Sequence, residues 1–244
     1  MLRSFKTHIE TKFPELLKTP FLLASSGGID SMVLTDLCSR CGMDFALAHC
    51  NFRLRGTDSD ADEEFVAETA NRLNKKKYIT HFYTMDYVYE HKVSVQMAAR
   101  SLRYTWFAGL MQKTGIKTLV TAHHADDNLE TFLINLSRGT GIEGLTGIPE
   151  KTDSISRPLL AFSREQIETY AHDENIEWRE DSSNADTKYL RNNIRHQILP
   201  LLKALNPNFL ENFRKTQTYL VQTASIAADH ILGLKEAIFR EEGK

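Results

Sequence analysis

The sequence predicts an α/β fold, in which a five-stranded parallel sheet is covered by helices on both faces and is followed by a small helical segment. Five short apolar runs alternate with segments of helical periodicity, as in parallel sheets whose strands are joined by crossover helices. Two glycines, Gly27 and Gly28, separate the first apolar run from the first helical pattern. Beyond about Lys188 the pattern stays helical, so we expect an α/β domain over 1–187 and a helical segment over 188–244.

The predicted elements follow one another along the chain in a regular order. The five runs predicted as strands are 21–25, 44–49, 78–85, 117–122 and 155–160. The helical patterns lie at 30–40, from Asp60, from Ser94, at 126–138 and from Ser163. Ser163 and Gln166 have the spacing of a capping box, as do Asp60 and Glu63. These spacings predict where two of the helices begin.

Composition and charge limit the classes of function that the chain can have. Of its 244 residues, 41% are hydrophobic and 25% are charged, and the formal net charge is -2. A nucleic-acid partner would therefore have to use a local basic patch. Three cysteines are too few for a disulfide framework and favour a reducing compartment. Since neither a signal-peptide pattern nor an apolar run of membrane-spanning length is present, we expect a cytoplasmic location without membrane association.

The segment between the first strand and the first helix has the features of a phosphate-binding loop. Unpaired N–H groups at a helix start attract anions, and Gly27 and Gly28 allow close approach of the backbone. The hydroxyls of Ser26 and Ser31 add donors, and the carboxylate of Asp30 suggests Mg²⁺ between it and the phosphates. A plain turn is the alternative for two glycines alone, but the whole string favours phosphate. The residues expected to bind the nucleotide are Ser26, Gly27, Gly28, Ile29, Asp30 and Ser31.

The string Ser-Gly-Gly-x-Asp-Ser resembles the pyrophosphate loop of the N-type ATP pyrophosphatases, the PP-loop superfamily. Further segments, in the same order along the chain, resemble those of tRNA(Ile)-lysidine synthetases. They are 48–56 (AHCNFRLRG), 98–107 (AARSLRYTWF), 121–131 (TAHHADDNLET), 138–147 (RGTGIEGLTG), 181–184 (DSSN) and 191–195 (RNNIR). The chain has Phe52 and Arg53 where that family often has His and Gly. The resemblance covers about residues 15–205.

This resemblance implies an adenine nucleotide alpha hydrolase-like fold and an ATP-dependent ligase with Mg²⁺. Members of the family join L-lysine to C2 of the wobble cytidine of tRNA(Ile) that has a CAU anticodon. The cytidine O2 attacks the α-phosphate of ATP and pyrophosphate leaves; the lysine ε-amine then displaces AMP. Longer members carry C-terminal domains that recognise tRNA, so the helical segment over 188–244 is expected to lead to such domains.

Two carboxylates in the 121–131 segment are the expected site of the amine. Asp127 and Glu130 are three residues apart at a helix start, so both project from one face. They follow the fourth strand, at the edge of the sheet where open α/β folds bind ligands. Together they would hold a cationic amine and accept its proton. Helix capping is the alternative role, but it explains Asp126 or Asp127 and not Glu130.

Arg103 and His123 complete the expected catalytic set. Arg103 would stabilise negative charge on the α-phosphate as pyrophosphate leaves, and Arg100 would do the same or contact RNA. His123 would contact the nucleotide or orient Asp127. The alternatives are a solvated helix face for the arginines and a structural role for the histidine. His49, at the end of the second strand, has the same two alternatives.

Four arginines are expected to contact the phosphate backbone of RNA, because cationic side chains supply most of the affinity for nucleic acids. Ordinary surface charge is the alternative for each of them, although the family pattern favours a function for the last two. The four are Arg53, Arg55, Arg191 and Arg195.

Other functions remain open from the sequence. A cytidine thiolase of the same superfamily would need cysteines at the nucleotide site, and Cys38-x-x-Cys41 is the one pair present. A non-catalytic RNA-binding module is a second alternative, disfavoured by the intact phosphate loop and acidic pair. The glycines of 139–144 follow a helix instead of a strand, so a dinucleotide-binding turn lacks the structural context that it requires.

Overall fold

A computed structural model of the protein describes residues 1–180 and 190–238, with the side chains of 236 and 237 left out. Five strands form one sheet in the order β3-β2-β1-β4-β5, and every neighbouring pair is parallel. The strands are β1 (Phe21–Ala24), β2 (Phe45–Asn51), β3 (Lys77–His81), β4 (Leu119–Val120) and β5 (Ile155–Ser156). The five-stranded parallel sheet that we expected is therefore confirmed.

Helices connect the strands and continue to the end of the described chain. They are α1 (Leu2–Lys12), α2 (Ile29–Arg40), α3 (Thr57–Arg72), α4 (Thr84–His91), α5 (Val95–Thr114), α6 (Ala125–Arg138), α7 (Ile142–Leu145), α8 (Arg164–Asp173), α9 (Leu190–Asn193), α10 (Leu199–Leu205) and α11 (Phe209–Ile238). Short 3₁₀ turns lie at Pro14–Leu17 and Pro158–Ala161, and a π-helical turn, Ile194–Ile198, separates α9 from α10. The helical C-terminal segment that we expected is thus present.

The chain divides into two compact units. The first unit contains residues 1–124 and 150–182, and the second contains residues 125–149 and 183–244. The 181–184 segment and the expected boundary between residues 187 and 188 lie outside the described residues, so that boundary stays a prediction.

The core of the first unit lies on both faces of the sheet, because neighbouring residues of a strand point to opposite sides. Phe21 and Leu23 of β1 pack in one cluster with residues of α1, α2, α3 and α8. Leu22 of β1 packs in the other cluster with Phe107 and Leu110 of α5. This continuous apolar strand is typical of a sheet covered on both sides. It fixes β1 at the centre, with the phosphate loop at its carboxyl end.

The second unit has a small core of its own, formed by residues of four helical elements. Leu129 of α6, Ile194, Leu199 of α10 and Phe213 of α11 are all buried there. The ring of Phe213 meets the ring of Phe132 edge to face, with 5.2 Å between the ring centres.

The structure corrects several of the expected element bounds. The third strand ends at His81, and α4 begins at Thr84, within the expected strand at 78–85. The fifth strand has only two residues and gives way to a 3₁₀ turn that starts at Pro158, since proline cannot donate in a sheet ladder. α3 begins at Thr57 instead of near Asp60. The capping box of Ser163 and Gln166 is confirmed at the start of α8.

None of the helices in the described part of the chain is both long and apolar enough to cross a membrane.

Candidate active site

The phosphate loop closes on itself through its two serines. The hydroxyl of Ser31 donates to the carbonyl of Gly28 at 2.8 Å and accepts from the backbone N–H of Ser26 at 3.3 Å. The hydroxyl of Ser26 accepts from the backbone N–H of Gly28 at 3.3 Å. Gly27 has a φ of +84°, a conformation that residues with a Cβ rarely adopt. These contacts hold the turn in shape while α2 begins behind it.

The N-terminus of α2 is suited to binding an anion. Its cap residue is Gly28, which has no side chain to accept from the N–H groups of the first turn. Those groups and the helix dipole therefore offer a positive end at the loop. The side chain of Ile29 is buried in the core, so this expected ligand has only its backbone to offer.

A buried carboxylate, Asp62 of α3, ties three segments together around the loop. It accepts from Nη2 of Arg55 at 2.6 Å and from Nε of Arg179 at 2.5 Å. The backbone N–H of Arg179 in turn donates to the carbonyl of Gly27 at 3.0 Å. We call Asp62, Arg55 and Arg179 the loop clamp. It fixes the position of the glycine turn from one side.

Asp30, the expected Mg²⁺ ligand, faces two cationic or potentially cationic side chains. Nη1 of Arg164, the first residue of α8, donates to Oδ1 at 2.9 Å and to Oδ2 at 2.8 Å. The buried ring of His124, which follows β4, has Nε2 3.7 Å from Oδ1. The carboxylate of Asp30 thus lies between the guanidinium of Arg164 and the imidazole of His124 at the edge of the loop.

The donor set at the loop is compatible with Mg²⁺ held mainly by a nucleotide. Within the described ranges, no cluster of three or more His, Cys, Asp or Glu side chains could hold a metal ion. Mg²⁺ usually binds one or two carboxylates together with substrate phosphates and water. A single carboxylate at a phosphate loop, as Asp30 provides, meets that requirement.

Two buried polar atoms lie at the carboxyl ends of β1 and β2. Oγ of Ser25 and Nε2 of His49 have no hydrogen-bond partner within the described residues. Nδ1 of His49 is 2.9 Å from the carbonyl oxygen of Ser25, which can only accept, so that nitrogen carries the proton. Burial lowers the pKa of His49, so the ring is neutral and presents Nε2 as an acceptor. His49 therefore offers a bare acceptor beside the loop.

Arg103 and His123 lie in the first unit, as the phosphate loop does. The guanidinium of Arg103 lies 5.2 Å above the centre of the Phe52 ring, an arrangement that is attractive through the ring's negative face. Nδ1 of His123 is 2.9 Å from Oγ1 of Thr121. Of the two neighbouring histidines it is His124 that approaches Asp30, a contact that we did not expect.

In the second unit, the expected amine site and two of the expected RNA contacts form one cluster. Nε of Arg191 donates to Oε2 of the fully buried Glu130 at 2.8 Å. Nε of Arg195 donates to Oε1 of Glu130 at 2.6 Å, and its Nη2 lies 3.1 Å from Oδ1 of Asp127. Lys203 pairs with Asp126. Arginines therefore already balance the two carboxylates that we expected to hold an amine.

The other expected RNA contacts differ in their surroundings. Arg53 is exposed and lies over the Tyr83 ring, with 4.9 Å between Cζ and the ring centre. Its φ of +52° is left-handed, which explains why glycine suits this position in the resembling family. Arg55 belongs to the loop clamp. Arg53 thus presents an exposed charge and an aromatic ring together, whereas Arg55 supports the loop.

Sequence reasoning missed four residues at the loop. Arg164 lies 134 residues from Asp30 in the chain, and Arg179 lies 117 residues from Asp62. Asp62 is one of several acidic residues on α3. Its burial sets it apart from the others, and this burial can be seen only in the folded structure. His124 lies in the 121–131 segment that resembles the family, and the pair of adjacent histidines there was the feature that could have drawn attention to it.

Comparison with known proteins gives the chain a family. The model of the PP-loop domain matches residues 1–202. A tRNA(Ile)-lysidine synthase from Porphyromonas gingivalis is 46% identical over 205 residues, which cover 84% of this chain and 45% of that protein. One from Bacteroides thetaiotaomicron is 39% identical over 236 residues, which cover 97% of this chain and 55% of that protein. The chain spans about half the length of these curated relatives.

Solved structures support the fold alone, because sequence identity to them is low. The U34-tRNA thiolase NcsA from Methanococcus maripaludis, with its [4Fe-4S] cluster, aligns with a TM-score of 0.73 at 15% identity. That alignment covers 91% of this chain and 80% of the thiolase. The NMN synthetase from Francisella tularensis aligns with a TM-score of 0.53 at 10% identity, over 90% of this chain and 95% of that one.

Proposed function

The chain belongs to the PP-loop domain family, and from this premise we propose that it is the catalytic part of a tRNA(Ile)-lysidine synthetase. It joins L-lysine to C2 of the wobble cytidine of tRNA(Ile) with a CAU anticodon, using ATP with Mg²⁺ and releasing AMP and pyrophosphate. The observation that carries the proposal is the 46% identity over 84% of the chain to a protein of that name. Under this proposal the reaction takes place in the cytoplasm, and residues 1–187 form the catalytic domain.

The phosphate loop supplies the first step, in which the cytidine O2 attacks the α-phosphate. The open N–H groups at the start of α2 and the hydroxyls of Ser26 and Ser31 would hold the departing pyrophosphate. Asp30 would hold Mg²⁺, which spreads the charge of the phosphates when it is bound. Arg103, raised on the Phe52 ring, would face the negative charge that develops on the α-phosphate. His123 would contact the nucleotide.

The carboxylates of Asp127 and Glu130 supply the second step, in which the lysine ε-amine displaces AMP. An amine attacks only after it has lost a proton, and a neighbouring carboxylate can accept that proton. In the structure Arg195 touches both carboxylates. The amine would therefore bind the outer carboxylate, Asp127, while Glu130 stays paired with Arg191 and Arg195. Arg53 would face the RNA backbone, and so would Arg191 and Arg195 while they keep their pairing with Glu130. Arg55, the fourth arginine expected to contact RNA, would instead support the phosphate loop through Asp62.

The cysteines do not favour the thiolase alternative. Burial raises the pKa of Cys38, Cys41 and Cys50, that of Cys50 to about 12. A thiol that attacks or binds a cluster needs the opposite shift. In addition, Cys38 and Cys41 lie at the C-terminal end of α2, whereas the phosphate loop lies at its N-terminal end. The burial of the three thiols and the position of Cys38 and Cys41 thus argue against the thiolase.

Release of labelled pyrophosphate tests the proposal. We expect release only when ATP, Mg²⁺ and tRNA(Ile) with a CAU anticodon are all present, and labelled lysine should then appear in the tRNA. Because the chain spans about half its relatives, the tRNA should be supplied at high concentration. Release of pyrophosphate that does not depend on this tRNA would mean that the chain acts on a different substrate, as another member of the superfamily.

Two aspartate variants sharpen the test. Asp30→Asn should lower the rate about 100-fold, as loss of one electrostatic ligand commonly does. Asp44→Asn makes the same change of charge at an exposed residue that precedes β2, and it should keep the wild-type rate. Equal rates for the two variants would contradict the role of Asp30. Binding of RNA without any pyrophosphate release would instead favour the non-catalytic module.

A further inference from the structure

We propose that Arg164 is a further ligand of the nucleotide phosphates, which pairs with Asp30 in the absence of nucleotide and with the triphosphate in its presence. The inference rests on the proposed ATP-dependent function and deepens it. It assigns a role in the nucleotide site to a residue outside every segment that carries the family resemblance.

The position of Arg164 is the first argument. Its Nη1 lies 2.8 Å and 2.9 Å from the two carboxylate oxygens of Asp30. Asp30 is the second residue of α2 and belongs to the phosphate loop. Both side chains are partly exposed, 35% for Arg164 and 28% for Asp30, so solvent reaches the pair. The guanidinium therefore already lies where the loop meets incoming anions.

The backbone and the aliphatic part of the side chain of Arg164 are well fixed. Arg164 is the first residue of α8, immediately after the capping box that Ser163 and Gln166 close. Its Nε donates to Glu168, one helical turn further on, at 2.7 Å. This contact restrains the stem of the side chain and directs the terminal nitrogens toward the loop. A small rotation of the guanidinium is then enough to exchange one oxygen partner for another.

The charges favour this exchange. Without nucleotide, a carboxylate at the loop gains from a guanidinium beside it. A triphosphate carries more negative charge and presents pairs of oxygens that match the planar guanidinium. A divalent cation at Asp30 would compete with Arg164 for the same two oxygens. When a nucleotide binds together with the cation, the cation takes the Asp30 carboxylate from Arg164, and the phosphate oxygens become the new partner of the guanidinium.

A purely structural ion pair between α2 and α8 is the competing explanation, and it makes different predictions. Such a pair would change the stability of the protein on mutation, and it would weaken the binding of ATP and AMP alike. A phosphate ligand acts on the β- and γ-phosphates, which AMP lacks. Comparison of the two nucleotides therefore separates a ligand from a structural pair.

Arg164→Gln and a matched control, Arg40→Gln, provide the test. Arg40 is 38% exposed and also pairs with an acid one turn away, Asp36, and with a second acid, Glu174, which follows the last residue of α8, but it lies at the far end of α2. Titration calorimetry with Mg²⁺ present should show ATP binding weakened about 10- to 100-fold by Arg164→Gln. AMP binding should change less than about twofold. Arg164→Lys should recover part of the loss, because it keeps the charge but not the planar fork.

A second measurement uses Mn²⁺ alone, followed by electron paramagnetic resonance without nucleotide. Loss of the competing guanidinium should tighten Mn²⁺ binding about tenfold in Arg164→Gln and leave it unchanged in Arg40→Gln. The proposal is overturned if Arg164→Gln binds ATP like the wild type, or loses ATP and AMP equally. Neither measurement includes tRNA or lysine, so failure of the ligase reaction leaves the inference standing, whereas a wild type that binds no ATP refutes both.

Discussion

Replacement of Asp62 by asparagine tests whether the loop clamp stabilises the first unit. The carboxylate receives two charge-assisted hydrogen bonds, from Arg55 and Arg179. Each such bond contributes about 1.5–3 kcal/mol when the charged partner is removed. The arginines are 27% and 35% exposed, so water screens them, and asparagine keeps one acceptor. We therefore expect Asp62→Asn to lower the free energy of unfolding by about 2–3 kcal/mol.

Urea unfolding followed by tryptophan fluorescence measures this loss directly. Both tryptophans, Trp106 and Trp178, lie in the first unit, so their signal reports on the clamp's own surroundings. The melting temperature should fall by about 5–10 °C for a chain of this size. Asp58→Asn, an exposed residue on the same helix, should lose less than about 0.5 kcal/mol. Equal losses for the two variants would refute the clamp.

Three further perturbations address other parts of the site. Glu130→Gln should lower the stability of the second unit by about 2–3 kcal/mol, because two arginines lose a buried partner; hydrogen exchange of α6 measures it. Since burial lowers the pKa of His49, the unfolded chain binds a proton at this ring more readily than the folded chain does as the pH falls through 6.5. The free energy of unfolding should therefore decrease from about pH 7 to about pH 5, and it should decrease less steeply in His49→Gln. Urea unfolding at each pH measures this dependence. Because their pKa values are raised, the thiols of Cys38 and Cys50 should react slowly with iodoacetamide at neutral pH while the protein is folded. Mass spectrometry measures the extent of alkylation.

Each of these outcomes has a clear opposite. Unchanged exchange in α6 would show that the arginines contribute nothing at Glu130. An identical pH slope with and without His49 would assign the acid sensitivity to other groups. Rapid alkylation of Cys38 in the folded state would mean that the end of α2 opens to solvent.

The sequence predicted those parts of the site that depend on neighbouring residues. The phosphate loop was readable because the apolar run, the two glycines and the serines are adjacent, and each has a local physical reason. The capping box at Ser163 was readable for the same cause. The strand at 78–85 was overextended, because its alternating apolar residues suit a strand as well as the short helix α4 that follows His81.

The partners of the loop residues were not readable, because they come from distant parts of the chain. Nothing local marks Arg164 as the partner of Asp30, or Arg179 as that of Asp62, since each is one of many charged residues on a helix or loop. The pairing of Glu130 with Arg191 and Arg195 shows the same limit. All three residues had been singled out, Glu130 for amine binding and the two arginines for RNA contact, and only the fold joins them.

The loop clamp also sets the order in which the protein can become functional during synthesis. The glycine turn is held by the backbone of Arg179, which leaves the ribosome long after the turn itself. At ordinary rates of translation this delay is roughly 10 to 30 s. For roughly the first half of that time β1 also lacks its neighbour β4, and throughout it the turn lacks its clamp. Nucleotide therefore cannot help the earliest folding steps, and its binding reports instead that nearly the whole first unit has been assembled.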